Sequence, residues 1–100
     1  MADDEFVAYV GDPEIHDAVV KSVSYNGQQA EVSIEAINGR RINISFNDVK
    51  GFQAHEPIGM LLYALNEMRT IPPHRKFVFT NSEENSDSIL SLEALGFVCK

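Results

Sequence analysis

The chain has 100 residues, 44% of them hydrophobic, with one cysteine and no tryptophan; this composition suits one domain, 1–100, with a single core and no large cofactor cavity. Its 15 Asp and Glu against 8 Lys and Arg leave a formal charge of −7, which argues against a nucleic-acid binder, because phosphate contacts need clustered cations. No apolar run approaches the ~20 residues of a membrane span, the acidic Met1-Ala-Asp-Asp-Glu start is unlike a signal peptide, and the lone Cys99 excludes an intrachain disulfide framework or a cysteine zinc site.

In chain order, Phe6 to Val10 suits a short strand, and Asp12-Pro13-Glu14 has the cap-then-proline order of a helical turn leading into Ile15-His16-Asp17. A strand ending at Ser24-Tyr25 follows. Ala30 to Ile37 then alternates, with Ala30, Val32, Ile34 and Ala36 on one side and Glu31, Ser33 and Glu35 on the other. Arg41 to Phe46 repeats the pattern with Ile42, Ile44 and Phe46 facing in. Period-two alternation predicts strands with one buried and one wet face. Asn26-Gly27 and Asn38-Gly39 link these runs, and Asn-Gly is the strongest short hairpin signal, since both central residues of a type I′ turn need positive φ. Asn47-Asp48 reads as a third turn before Val49-Lys50-Gly51-Phe52. The expectation is an antiparallel meander of three or four strands.

A sheet must bury its apolar face, and the sequence offers a cover at about 58–69. Met60, Leu61, Leu62, Tyr63, Ala64, Leu65 and Met68 are mostly strong helix formers, with Leu61, Leu65 and Met68 at helical spacing. Pro57 fits the first turn and Pro72-Pro73 forbids continuation. A strand is the rival reading, because the run is short and Gly59 weakens the helix start. Lys76 to Thr80 reads as a strand by its aromatic and β-branched content, followed by an acidic loop from Asn81 to Ser88. Ile89 to Val98 suits a strand pairing with 76–80 as a C-terminal hairpin; a helix closed by Gly96 is the alternative. The fold class expected is therefore α+β: an antiparallel meander with hairpins, one helix over about 58–69 covering its apolar face, and a C-terminal hairpin.

Few residues point to chemistry. His16-Asp17, with His55, offers a general base or a fragment of a ligand site, although a bond tying down the local turn explains His16-Asp17 as simply. The three histidines, His16, His55 and His74, share no helical face, so no metal is expected. Cys99 has no histidine near it in sequence, no serine lies in a GxSxG context, and the glycines never cluster into a phosphate loop. The acidic groups Asp3-Asp4-Glu5 and Glu83-Glu84 with Asp87 read first as solubility features, and second as a docking surface for a basic protein.

Across Ile15 to Val98, the pattern of Ile15-His16-Asp17-Ala18-Val19-Val20, two Asn-Gly-linked strands, Phe77-Val78-Phe79, Leu90 to Ala94 and Gly96-Phe97 resembles a loose group of small bacterial sheet-rich proteins of unknown function. Some of these are grouped with toxin-immunity proteins. The resemblance implies a cytoplasmic, non-enzymatic domain and carries no active site. The functional expectation is a non-catalytic protein-binding domain, an immunity-like inhibitor or an accessory protein. It would use no cofactor, nucleic acid or membrane, and would be a monomer or a weak homodimer through an edge strand. Its surface is expected at Glu31, Glu35, Arg41, Asn43, Glu83 and Glu84. The alternative is a small enzyme or ligand binder using His16, Asp17 and His55, which requires His16 and His55 to converge in one pocket.

Overall fold

In the computed structural model, which describes residues 6–83 and 85–100, the alternating segments are strands whose apolar residues meet in one core. Nine strands are described: β1 (Phe6–Val10), β2 (Val19–Tyr25), β3 (Ala30–Glu35), β4 (Arg41–Asn47), β5 (Lys50–His55), β6 (Leu62–Met68), β7 (Arg75–Asn81), β8 (Ile89–Ala94) and β9 (Gly96–Cys99), with a single 3-10 turn at Pro13–Ile15. They form a five-stranded sheet, β1-β6-β7-β8-β5, and a four-stranded sheet, β2-β3-β4-β9. Every strand pair is antiparallel. Among the described residues no helix is long and apolar enough to cross a membrane.

The inner faces pack on one another, as two amphipathic sheets must. Phe46 of β4 lies at the centre, 1% exposed, with its ring 5.3 Å from Phe77 and 6.0 Å from Phe79 on the other sheet. Val20, Val32, Ile34, Ile42 and Ile44 complete one inner face, and Leu62, Leu65, Leu90 and Leu92 the other. One end of this core is closed by Arg75, whose guanidinium lies over Phe77 and Phe97 at 5.1 and 5.8 Å and donates to both carboxylate oxygens of Glu67 at 3.0 and 2.7 Å. At a corner, the start of β2 bonds to the segment entering β6: Val20 N–H donates to Met60 O, and Leu62 N–H to Ala18 O.

The α+β expectation is corrected: both sheets are covered by each other, and no helix spans 58–69. The segment turns at Pro57 to Gly59, with Gly59 at φ +91°, and then runs as β6, paired with β1 on one side and β7 on the other. Leu61 and Met68, expected on one helical face with Leu65, are only partly buried, and a bulge instead pairs Leu65 with Leu62 in the core. The β6–β7 register shifts between Leu62 and Ala64, so Leu62 and Leu65 both reach the core although they are three residues apart. One inserted residue thus imitates a helical repeat, and burial between two strands overrides helix propensity.

Three further expectations change in detail. The meander holds three strands, β2-β3-β4, while the predicted fourth, β5, crosses to the other sheet and pairs with β8. Asp48, at φ +52°, makes that corner. The C-terminal segment does pair with β7 through β8, but Gly96 begins a separate strand, β9, which switches sheets to pair with β4. Neither Asn-Gly pair is a two-residue turn, since only the glycines have positive φ. At Asn38-Gly39, Gly39 N–H donates to Ala36 O and Ala36 N–H to Arg40 O, a three-residue loop with a glycine bulge. At Asn26, the side-chain oxygen accepts from the Gln28 and Gln29 amides, which lengthens the loop to residues 26–29.

Candidate functional site

An exposed apolar surface is built on β1. As the outer strand of the five-stranded sheet, it pairs only with β6 among the described residues. Its sequence, Phe-Val-Ala-Tyr-Val, contains no charge. Phe6 and Val7 are each 48% exposed and Tyr9 is 61% exposed. Tyr63 of β6 extends the patch, and the rings form a chain of edge-to-face contacts: Phe6 to Tyr9 at 4.9 Å, Tyr9 to Tyr63 at 6.2 Å, and His16 to Tyr63 at 5.3 Å. The Tyr9 hydroxyl titrates above the ordinary phenol range, chiefly through the charge Tyr63 would carry beside it, and also through their hydrogen bond.

The 3-10 turn fixes the end of this surface. Asp12 caps the turn by accepting from the Glu14 amide at 2.8 Å. Arg40, reaching over from the β3–β4 hairpin, donates to Glu14 at 2.7 Å and to Asp12 at 3.1 Å. Asp12 consequently ionises below the usual carboxylate range, first because of the Glu14 amide and then because of Arg40. Between the turn, β1 and β6 lies a cleft of about 350 Å³ lined by Tyr9, Asp12, His16 and Tyr63 among others.

His16 sits at the rim of this cleft with its role fixed by geometry. Its Nδ1–H donates to the backbone carbonyl of Tyr63 at 2.9 Å, and Nε2 lies 3.6 Å from Asp17 Oδ2. Asp17, at φ +69°, turns the chain into β2. The imidazole therefore ties the β1–β2 connection to β6. His55 is not brought to it: β5 and β6 are separated by β8 and β7, three strand spacings or about 14 Å. His74 lies elsewhere, bonded through Nε2 to Asp48 O at 3.1 Å. Among the described residues no group of three His, Cys, Asp or Glu side chains is placed to hold a metal. Burial pushes the Cys99 thiol up, away from nucleophilic use.

Of the residues expected to form a binding surface, Glu31, Glu35, Arg41 and Asn43 share one sheet face. In the β3–β4 register, Glu31 faces Ser45, Ser33 faces Asn43 and Glu35 faces Arg41. Several are bonded across the sheet: Ser45 to Glu31 at 3.4 Å, Arg41 to Ser33 at 3.4 Å, and Lys21 to Glu35 at 3.4 Å. Glu83 is exposed in the β7–β8 loop, its amide donating to Asn81 Oδ1 at 2.8 Å. Glu84 and Asp3-Asp4-Glu5 lie outside the described residues.

Sequence reasoning missed Phe6, Tyr9 and Tyr63 as a surface. The available signal was an uncharged five-residue strand with two aromatic residues; Tyr63 was hidden inside the apparent helix. Set against family models, curated proteins and solved structures, the chain gives no match in any of the three.

Proposed function

We propose that this protein is a non-catalytic binding domain that takes an extended segment of a basic protein partner along the β1 edge, acting as that partner's inhibitor or accessory. The observation that carries the reading is the exposed, uncharged β1 edge beside the Phe6, Tyr9 and Tyr63 rings. Sheet edges are normally blunted by charges, bulges or shortness. The β1 edge carries a register shift between Phe6 and Ala8 but no charge, whereas the opposite edge, β5, carries exposed Lys50 and Gly51 at φ +61° as well as a register shift, and edge β9 is only four residues long. An uncharged edge offers main-chain hydrogen bonds for affinity, and tyrosines are favoured anchors at interfaces.

The charge of −7 supports a basic partner and opposes a second copy, since like-charged chains repel. The cross-paired charges on the β3–β4 face support it less as the primary surface, because exposed pairs contribute little. A cytoplasmic setting goes with this reading, supported by the free thiol of Cys99. The separation of His16 from His55 supports a non-catalytic role.

The test captures the partner from the native cell on immobilised protein, identifies it by mass spectrometry, and maps the complex by hydrogen exchange. A basic protein released by salt, protecting β1 amides and lost with Val7→Lys, supports the proposal. Capture of nothing, or a partner indifferent to Val7→Lys, overturns it. Sedimentation showing self-association through β1 replaces the basic partner by a second copy.

A further inference from the structure

Around the cleft beside β1, the exposed rings stand at near right angles to one another. In the β1–β6 register Val10 meets Leu65 of the core and Tyr9 meets Asn66, so alternation puts Tyr9 on the outer face of the five-stranded sheet. The β6 register shift between Leu62 and Ala64 leaves Tyr63 on that side too, in ring contact with Tyr9. The planes of Tyr9 and Tyr63 are inclined at 73° with centroids 6.2 Å apart, and those of Tyr63 and His16 at 79° and 5.3 Å. All three rings line the one cleft of about 350 Å³, a volume at the small end of ligand sites.

These walls are held in place by their own bonds. The Tyr9 and Tyr63 hydroxyls share a hydrogen bond, and His16 Nδ1 is bonded to the Tyr63 carbonyl at 2.9 Å. Both tyrosines are nevertheless exposed, which leaves ring surface open to a ligand. The charge beside them is negative. Asp17 Oδ2 lies 3.6 Å from His16 Nε2, with its side chain 46% exposed, and among the described residues no Lys or Arg lines the cleft. Asp12, also in the lining, is committed to the Glu14 amide and to Arg40, so the open carboxylate is that of Asp17.

We infer that this aromatic corner seats an arginine side chain of the basic partner, with its guanidinium against the Tyr9 and Tyr63 rings and its charge offset by Asp17 at the rim. Ring faces are negative at the centre, and aromatic cages hold cations by surrounding them with such rings. Arginine suits the corner better than lysine. Its planar, weakly hydrated guanidinium stacks on one ring and keeps its edge donors for a phenol or carboxylate oxygen. The overall charge of −7 attracts the same class of partner. The inference rests on the basic partner assigned to the β1 edge, and adds the side chain by which that partner is recognised.

The test is an NMR titration of the whole chain, following backbone amides and aromatic rings, with N-acetyl-arginine methylamide, its lysine counterpart and the neutral isostere N-acetyl-citrulline methylamide at matched ionic strength. Saturable shifts centred on the Tyr9, Tyr63 and His16 rings, with arginine bound about two- to fivefold more tightly than citrulline, support the inference. Tyr63→Leu should abolish that preference and Tyr63→Phe should keep it. Asp17→Asn, which tolerates the backbone at φ +69°, should reduce it about twofold. Thermal melts check folding, and Tyr9→Leu replaces Tyr63→Leu if the latter unfolds. Equal binding of citrulline, a preference for lysine, no saturable shift, shifts centred elsewhere, or an arginine preference that survives the leucine variant overturns the inference. These capped residues have too little backbone to pair with β1, so the seat and the strand edge succeed or fail separately. A captured partner that protects β1 amides but leaves the Tyr63 ring unshifted upholds the edge and overturns the seat.

Discussion

Alanine at Gly11 separates two costs that are usually confounded. Gly11 links β1 to the 3-10 turn at φ +87°, and a Cβ there would lie 2.7 Å from Ile15 Cδ1, with Leu65 and Cys99 atoms at 3.7 Å. Gly39, in the β3–β4 hairpin, has nearly the same φ, +86°, and nothing within 4 Å of its Cβ position. Gly39→Ala should therefore show the backbone cost alone, about 1–2 kcal/mol. Gly11→Ala adds overpacking against a side chain only 2% exposed, a further ~1–3 kcal/mol. Ile15→Val removes the very methyl in the way. By itself it should cost about 0.5–1.5 kcal/mol, but in the Gly11→Ala background it should cost nothing or restore stability. Urea denaturation monitored by tyrosine fluorescence measures all four variants, provided m is unchanged. The reasoning fails if Gly11→Ala matches Gly39→Ala, or if the Gly11 and Ile15 effects add to within ~0.5 kcal/mol.

Phe46→Ala should destabilise by about 3–5 kcal/mol, a large share of a small domain's stability, because Phe46 touches three other phenylalanine rings; chemical denaturation reads this directly. Glu67→Gln should cost about 1–2 kcal/mol near neutral pH, reduced from a fully buried pair because Arg75 is 39% exposed. The Arg75 hydrogen bonds lower the folded-state titration of Glu67. Its stabilisation is therefore full above the ordinary carboxylate range and vanishes as pH falls through that range to the lower folded value. Wild type should lose that increment in acid, and Glu67→Gln should show a flatter pH profile of unfolding. Arg40→Met should release the hairpin tip from Asp12 and Glu14, seen as faster amide exchange at Gly39 with little change in the global unfolding midpoint.

Much of this architecture is written in local pattern, and the failures have identifiable causes. The β2–β3–β4 meander was legible because Val32, Ile34, Ile42, Ile44 and Phe46 alternate without interruption. The segment 58–69 was not, because the β6 bulge places Leu62 and Leu65 on one face at a spacing that helices also produce. Sheet switching was equally hidden: β5 leaves the meander and β9 joins it through pairings far apart in sequence, which no local signal encodes. The shared polar face of Glu31, Glu35, Arg41 and Asn43 followed from alternation alone. The β1 surface did not, since its meaning depends on β1 standing at an edge. His16 and His55 could be weighed only once the strand order set them on opposite sides of the sheet.

The two sheet switches also bear on how the chain folds. The four-stranded sheet takes three consecutive strands plus β9, and the five-stranded sheet takes β1, β5 and the strands between 62 and 94. A cut between β4 and β5 therefore yields no piece that holds a complete sheet: the first fragment lacks β9, and the second lacks β1. Neither half can bury Phe46 against Phe77, so partly folded species have no core to rest on. Folding should accordingly be all-or-none and governed by distant pairings, in the millisecond-to-second regime of β-sandwich topologies rather than the microsecond regime of helical ones. Separately produced halves should stay unstructured alone and regain native signal only when mixed.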